Sequence, residues 1–170
     1  MKLFRDVISG DELLTDALPM KDLGCVYQVE AKLVPEDSSV SDALIGGNKS
    51  AEGGAEDLDD SVQWKLNVVS ANNLVETGFS KKDYQTHIKT YMKKIEEHLK
   101  TTNPDRVAPF KQEASAQVAG FLKRFKDLEF YTGNSMDPDG MVVLKEYIDK
   151  DGEEVPVFYF FKDGLSEEKL

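Results

Sequence analysis

The sequence contains few of the residues that catalysis and transition-metal binding most often use. Its 170 residues include one cysteine, Cys25, and two histidines, His87 and His98. An internal disulfide and a four-thiolate zinc site are therefore excluded, and a pair of nucleophile and base has almost no candidates. Cys25 is typical of a small buried hydrophobe, and the two histidines lack a second metal ligand at i+4 and are typical of surface positions. We therefore expect no catalytic residues, no enzyme activity and no transition-metal site.

Long hydrophobic runs are also missing, since none approaches the ~20 residues that a transmembrane helix needs. The first twelve residues carry Arg5, Asp6, Asp11 and Glu12 where a signal peptide would be apolar. The net charge of -11 argues against nonspecific binding to DNA or RNA, whose phosphates repel an acidic surface. We therefore expect a cytoplasmic protein with no membrane span and no nucleic-acid partner.

The composition that is present is that of a globular protein, with 40% hydrophobic and 31% charged residues. The length fits one domain over residues 1–170, with a core large enough to fold without disulfides. Charge is unevenly distributed, because residues 80–126 hold eleven Lys/Arg and five Asp/Glu, a net +6, which leaves -17 for the rest of the chain. A basic segment on an acidic body is a candidate binding surface, and a merely solvated helix face is the alternative.

Alternating hydrophobic residues predict strands in the first half of the chain. Residues 2–8 form one candidate, residues 25–33 a second and residues 62–68 a third. The inward-facing residues of the second and third segments would be Cys25, Tyr27, Val29, Ala31, Leu33, Val62, Trp64, Leu66 and Val68.

Two further strands are predicted near the C-terminus. The apolar segments 141–148 and 155–161 flank Asp151 and Gly152, which are typical residues of a hairpin turn. Pro156 lacks an amide hydrogen, so we expect its strand to lie at a sheet edge.

The middle of the chain has the pattern of two helices. Ser80 is a helix N-cap with Asp83 three residues later, and Phe79 and Tyr84 are spaced for a hydrophobic staple. Two apolar stripes at helical spacing follow: Tyr84, Ile88, Tyr91, Ile95 and Leu99, and then Val107, Phe110, Ala114, Val118, Phe121, Phe125 and Leu128. These stripes predict an αα-hairpin over about residues 80–128, and its position between strands predicts the α+β class.

The segment LIGGNKSAEGGAEDLDD, residues 44–60, could form a phosphate cradle, a cation trap or a docking loop. A phosphate-binding P-loop needs Gly, four residues, Gly, Lys and Ser/Thr between a strand and a helix. Here the glycines are adjacent, and acids follow where phosphate would need cations. Because the surrounding segment is rich in Gly, Ser and acids, we predict a long mobile acidic loop over about residues 36–60.

Residues 135–146, SMDPDGMVVLKE, partly match an EF-hand calcium loop. Asp137, Asp139, Gly140 and Glu146 occupy positions three, five, six and twelve of that loop. Ser135 replaces the usual first aspartate, however, and the second half of the segment has the pattern of a strand. We therefore interpret DPDG as a turn in which Gly140 supplies the difficult backbone angle.

Several segments, in order along essentially the whole chain, resemble the translationally controlled tumour protein family. They are RDVISGDEL, LIGGNKSAEG, FSKKDYQTHIKTYMKKI, NPDRVAPF, NSMDPDGMVVLKEY and FFKDGL. The resemblance implies a β-tent fold of mixed, mainly antiparallel sheets with an inserted helical hairpin and a long mobile acidic loop. Zinc-containing Rab-binding chaperones and methionine sulfoxide reductases share that fold, but this chain lacks their Cys pairs, so we expect neither zinc nor sulfoxide reduction.

The resemblance also implies a non-enzymatic protein with several partners. It implies binding of calcium and of tubulin or microtubules, and growth-promoting and anti-apoptotic roles with Bcl-type apoptosis regulators among the partners. The alternative that it implies is a guanine-nucleotide exchange factor or chaperone for a Ras-like small GTPase. The chain closes on Leu170 where animal members often have Cys, so we expect a monomer. Secretion by an unconventional route is left open.

Site residues follow partly from the matched motifs and partly from residue chemistry. The motif SGDE makes Glu12 the candidate GTPase contact, with Asp11 beside it, and a plain polar loop is the alternative. If the long loop folds near this turn, Asp11, Glu12, Asn48 and Glu52 would supply oxygens for a weakly bound calcium ion, and no cofactor is obligatory. The basic face of the first helix is the candidate for an acidic tubulin surface, and its residues are Lys82, Lys89, Lys93 and Lys94.

Overall fold

Three antiparallel sheets and a helical hairpin make up the part of the fold that the structure describes. The structure is a computed structural model that describes residues 2–35 and 63–169, so the predicted loop over residues 36–60 lies outside the described residues. The strands are β1 (Lys2–Asp6), β2 (Glu12–Thr15), β3 (Met20–Asp22), β4 (Val26–Glu30), β5 (Leu33–Pro35), β6 (Trp64–Leu66), β7 (Val75–Thr77), β8 (Glu129–Thr132), β9 (Val143–Lys150), β10 (Glu153–Phe161) and β11 (Leu165–Lys169). The α-helices are α1 (Asn67–Asn72), α2 (Lys81–Thr102) and α3 (Val107–Lys123).

The strands pair in the orders β3-β4-β10-β9-β8-β7, β11-β1-β2 and β5-β6. Each of these pairings in the described ranges is antiparallel. Helices α2 and α3 are inserted between β7 and β8. The α+β prediction, with mainly antiparallel sheets and an inserted helical hairpin, is therefore confirmed.

The hairpin predicted near the C-terminus is present as β9 and β10. Glu153 pairs with Lys150 across a two-residue turn. Both turn residues have positive φ, 55° at Asp151 and 85° at Gly152, which is the conformation that a type I′ turn requires.

The prediction that Pro156 marks a sheet edge is wrong, because β10 lies between β4 and β9. The pairing of β10 with β4 begins one residue later, at Val157 opposite Glu30. Just past the end of β4, the Ala31 amide donates to the Pro156 carbonyl at 2.9 Å. Pro156 therefore lies just outside the residues of β10 that pair with β4. Its lack of an amide hydrogen removes no hydrogen bond between these two strands.

The second and third predicted strands are only partly correct. The segment 25–33 divides into β4 and β5, which belong to different sheets, and Leu33 is 60% exposed instead of inward. The segment 62–68 forms β6 and the start of α1, with Trp64 58% exposed and Val68 buried in the helix. Val62 lies outside the described residues.

Contacts between distant residues explain this division. Asn67 accepts a hydrogen bond from the Lys32 amide through its side chain at 3.1 Å. The Asn67 amide donates in turn to the Lys32 carbonyl at 2.9 Å. These bonds fix the chain between β4 and β5, and they tie it to the first residue of α1.

The helical hairpin follows its local signals closely. The Ser80 hydroxyl accepts from the Asp83 amide at 3.1 Å, and the rings of Phe79 and Tyr84 lie 6.1 Å apart edge to face. The whole predicted stripe of α2 is buried. Helix α3 ends at Lys123, so two residues of its predicted stripe, Phe125 and Leu128, lie beyond the helix.

The hairpin packs on one face of the six-stranded sheet, and the small β11-β1-β2 sheet packs on the other face near β4. On the helical face, ring centroids lie 5.3 Å apart for Tyr84 and Phe130, and 5.2 Å apart for Phe121 and Tyr159. On the opposite face, the ring of Tyr27 on β4 contacts the ring of Phe4 on β1, with centroids 5.7 Å apart. Burial of each such side chain contributes about 1.5–3 kcal/mol.

Cys25 is fully buried, as predicted, and burial raises the pKa of its thiol to about 11. The thiol is therefore protonated at neutral pH and a poor nucleophile. Among the described residues, no helix is both long and apolar enough to cross a bilayer.

Candidate functional site

The turn between β1 and β2, residues 6–12, carries the two carboxylates that the sequence singled out. We name it the Gly10 turn, because Gly10 has a φ of 81°. Its conformation is fixed by Asp6, which is 3% exposed. The Asp6 carboxylate accepts from the Ile8 amide at 2.8 Å, the Ser9 hydroxyl at 2.9 Å and the Met141 amide at 2.7 Å. The turn is therefore rigid and is tied to the loop before β9.

Asp11 faces a neighbouring loop. Its Oδ2 accepts from the Ser135 hydroxyl at 2.6 Å and from the Ser135 amide at 3.3 Å. A Cβ on residue 133 would overlap the Asp11 side chain. The loop after β8 can approach Asp11 closely because this residue is a glycine. Asp11 thus joins the Gly10 turn to the loop after β8.

Glu12 is the more accessible of the two carboxylates, with 52% of its side chain exposed. It lies 3.3 Å from Arg5 Nη2, and Arg5 also donates from Nε to Glu168 at 2.8 Å. Glu12 can therefore accept from a partner's lysine or arginine, in competition with Arg5.

The four proposed calcium ligands are only partly described. Asn48 and Glu52 lie outside the described residues, and Asp11 and Glu12 contact different partners. Within residues 2–35 and 63–169, no group of three His, Cys, Asp or Glu side chains is placed to hold a metal ion. Calcium binding at the Gly10 turn stays a prediction.

The segment 135–146 does not form a calcium loop. Glu146 lies on β9, where its carboxylate accepts from Arg124 Nε at 2.9 Å and from the Tyr159 hydroxyl at 2.6 Å. The prediction that Gly140 supplies a difficult backbone angle is wrong, because the residue of this segment with a positive φ is Met136, at 58°. Gly140 is needed for space, since a Cβ there would lie 2.7 Å from the Asp6 carboxylate.

The basic face of α2 holds three of the four predicted lysines. Lys82, Lys89 and Lys93 are exposed and lie on one flank of the helix, at spacings of seven and four residues. In the described part of the chain, no carboxylate pairs with any of them. Lys94 lies on the opposite flank, with its Nζ 3.3 Å from Asp139 Oδ1. Lys94 therefore does not share the flank of the other three lysines, because it pairs with the loop before β9.

A groove between α2 and α3 was missed by the sequence analysis. We name it the hairpin groove; it has a volume of about 480 Å³. Its lining is apolar at the bottom and charged at the rim, and consists of Ile88, Lys89, Met92, Lys93, Glu96, Phe110, Lys111, Ala114, Ser115, Val118, Ala119 and Leu122. Four lining residues belong to the predicted apolar stripes, but the apolar spacing could not show that a groove between the two helices is open to solvent: Ile88, Phe110, Ala114 and Val118.

A second concave surface lies around β5 and β6, with a volume of about 870 Å³. Three of its large apolar side chains are more than half exposed: Leu33, Trp64 and Tyr147. The sequence analysis placed Leu33 and Trp64 inward, and so it could not identify this surface.

His87 is half-buried on α2, and its ring stacks on Tyr91 with centroids 6.0 Å apart. Its Nε2 is buried and has no hydrogen-bond partner in the part of the chain that the structure describes. Burial lowers the pKa of His87, and the nearby charges of Asp139 and Lys94 oppose each other. The surface position predicted for this histidine is therefore only partly correct.

Comparison with known proteins points to one family. Residues 1–166 match the family described as translationally controlled tumour protein. Curated translationally-controlled tumor protein homologs from Branchiostoma belcheri and Schizosaccharomyces pombe are 41% and 42% identical to this chain. Each alignment covers 100% of this chain and 100% of the homolog.

Two solved structures are also similar. The translationally controlled tumor-associated protein p23fyp from Schizosaccharomyces pombe has a TM-score of 0.80 and 42% identity, with 100% of both chains covered. A translationally-controlled tumor protein from Caenorhabditis elegans has a TM-score of 0.70 and 34% identity, with 100% of this chain and 99% of that chain covered.

Proposed function

Because the chain belongs to the translationally controlled tumour protein family, we propose that it is a non-enzymatic binding protein whose helical hairpin docks on acidic protein surfaces, with tubulin as the partner. The observation that carries this proposal is the row of Lys82, Lys89 and Lys93 on α2. Exposed lysines that have no carboxylate partner in the described residues are available to pair with a partner's acids.

The charge distribution supports the same contact. The segment 80–126 carries a net +6 within a chain of net -11, so an acidic partner would be attracted to the hairpin and repelled by the body. Each exposed pair contributes only about 0.2–1 kcal/mol, so binding depends on several pairs at once. Salt screens such pairs over about 8–10 Å, and we expect binding to weaken steeply as salt rises.

The test is microtubule co-sedimentation of the triple variant Lys82→Glu, Lys89→Glu, Lys93→Glu at low salt. A matched control makes the same charge change at three other exposed lysines: Lys21, Lys123 and Lys126. We expect the first variant to lose most of its binding, while the control retains it and both keep the parent's melting temperature. Equal binding by the parent and the first variant would refute the assignment.

A second candidate function is regulation of a Ras-like small GTPase, as an exchange factor or a chaperone. The observation that favours it is the exposure of Glu12 on a turn that Asp6 holds rigid. Losing a charged group at a desolvated contact costs about 2–5 kcal/mol. We therefore expect Glu12→Val to weaken GTPase binding in calorimetry and to leave the melting temperature nearly unchanged.

The control for this experiment is Glu168→Val, since Glu168 also pairs with Arg5 but lies on β11. An equal loss of affinity in both variants would assign the effect to Arg5 instead of to Glu12. Accelerated nucleotide release at substoichiometric protein distinguishes an exchange factor from a chaperone.

A further inference from the structure

We propose that the hairpin groove binds an acidic amphipathic helix of a partner protein. The floor of the groove is apolar and incompletely covered, because Met92, Val118 and Leu122 are only half-buried on the side of the hairpin that faces away from the sheet. Between the ridges, small residues leave room for an occupant: Ala114, Ser115 and Ala119. Apolar grooves between helices typically accept the apolar face of another helix.

The rim determines the charge of the occupant. Lys89 and Lys93 border the groove on α2, and Lys111 borders it on α3. The one acid in the lining, Glu96, is already paired, since its carboxylate lies 3.5 Å from Lys111 Nζ and 3.9 Å from Lys100 Nζ. The free charge at the rim is therefore positive, and it complements acids that flank an apolar stripe.

The length of the groove limits the size of the occupant. On α2 the lining extends from Ile88 to Glu96, which spans ~12 Å at 1.5 Å per residue. On α3 it extends from Phe110 to Leu122, which spans ~18 Å. A partner helix of about 8–12 residues fills this length.

This binding mode differs from the tubulin contact proposed above. Both use Lys89 and Lys93, but an exposed charge contact leaves the floor of the groove empty. The groove proposal requires apolar contact with Met92, Val118 and Leu122, so the two can fail separately.

The probe is a fluorescent synthetic peptide of about 14 residues, helical, with Leu on one face and Glu on the flanks. Its isomer has the same composition with the Leu residues spread around the helix. The protein variant is Ala119→Glu, which puts an acid in the groove without removing a core side chain. The matched control is Ala116→Glu, which makes the same change on the exposed face of α3 away from the groove.

We expect the full chain to bind the amphipathic peptide at least about ten-fold more tightly than the isomer, measured by fluorescence anisotropy. Ala119→Glu should weaken binding by about ten-fold or more, and Ala116→Glu should leave it within about two-fold. Circular dichroism of both variants should match that of the parent, which rules out loss of fold.

Four results would overturn the proposal. Equal affinity for the two peptides would show that charge alone drives binding, and equal effects of the two variants would show that the groove is not the site. Equal or tighter binding of a peptide with Gln in place of Glu would remove the acidic requirement. A dimer in sedimentation that Ala119→Glu dissociates and Ala116→Glu does not would identify a second copy of this chain as the occupant.

Discussion

Asp6 illustrates how much of this fold depends on one buried residue. Three donors converge on its carboxylate, and one of them, the Met141 amide, lies 135 residues away in the sequence. The carboxylate therefore fixes the Gly10 turn and the loop before β9 together, and it positions the exposed Glu12 indirectly.

The first prediction at the residue scale concerns Asp6→Asn. An asparagine has one acceptor oxygen, so at least one of the three donors would face its NH₂ group and remain unpaired. An unpaired buried group costs about 1–3 kcal/mol, and we expect that loss in urea denaturation. Asp16→Asn is the control, because among the described residues the exposed Asp16 accepts from the Lys2 amide alone. Similar losses at the two positions would contradict a special role for Asp6.

The second concerns His87, whose pKa is lowered by burial. Burial disfavours the protonated ring in the native state, whereas the unfolded chain binds a proton below the ordinary histidine pKa of about 6.5. The contribution of neutral His87 to the free energy of unfolding is therefore fully present above about pH 6.5 and is lost as the pH falls below that value. We expect the parent to lose more stability than His87→Gln between about pH 7.5 and 5.5, measured by urea denaturation at each pH. Identical slopes for the parent and His87→Gln would contradict this prediction.

At the scale of elements, aromatic contacts and several ion pairs fix the helical hairpin to the rest of the fold, and the pair of Arg124 with Glu146 reaches β9. Arg106, just before α3, donates to both carboxylate oxygens of Asp163 at 2.9 and 3.1 Å. Helix α2 contributes Tyr84, whose hydroxyl is buried and has no hydrogen-bond partner among the described residues. The ring of Tyr84 is therefore expected to stabilise this interface, and its hydroxyl is not.

A prediction follows for the pair Tyr84→Phe and Tyr84→Ala. Removing the hydroxyl relieves a buried unpaired group, so stability should stay the same or rise by up to about 1 kcal/mol. Removing the ring should cost about 3–5 kcal/mol because it leaves a cavity. Tyr159→Phe is the contrast in the same unfolding assay, since the Tyr159 hydroxyl donates to Glu146 at 2.6 Å and its loss should cost about 1–3 kcal/mol. A large loss in Tyr84→Phe would indicate that its hydroxyl has a partner.

The elements also show what the sequence could and could not predict. Helix α2 and the β9–β10 turn were predictable, because their signals lie within a few residues: Ser80 with Asp83, and Asp151 with Gly152. The division between β4 and β5 depends on Asn67, 35 residues from Lys32, so alternation alone could not reveal it. Similarly, the sequence placed Lys94 on a helix, but it could not show that Lys94 pairs with Asp139 in the loop before β9.

At the scale of the whole molecule, charge is segregated between the hairpin and the remaining chain. Outside residues 80–126 the net charge is -17, which attracts cations to the acidic body. The Gly10 turn belongs to that body, and the proposed calcium ligands Asp11 and Glu12 lie on it. Both carboxylates already have partners, which a calcium ion would have to displace.

We therefore predict weak calcium binding, with a dissociation constant of roughly 10⁻⁴–10⁻³ M. Titration followed by NMR should move the amide signals of Asp11 and Glu12, together with those of Asn48 and Glu52. The double variant Asp11→Asn, Glu12→Gln should reduce these shifts. Shifts confined to residues 137–146 would instead locate the ion at the segment that we assign to a turn and a strand.

The intrinsic fluorescence of Trp64 reports on one surface of the molecule, the concave surface around β5 and β6. It is the only tryptophan in the sequence, and it is 58% exposed in the concave surface around β5 and β6. Its indole is in contact with water in the native state, so denaturation changes the wavelength of its emission little. A ligand covering the β5–β6 surface would shift the emission to the blue, and a helix in the hairpin groove would leave it unchanged. Intrinsic fluorescence thus distinguishes the two concave surfaces without a label.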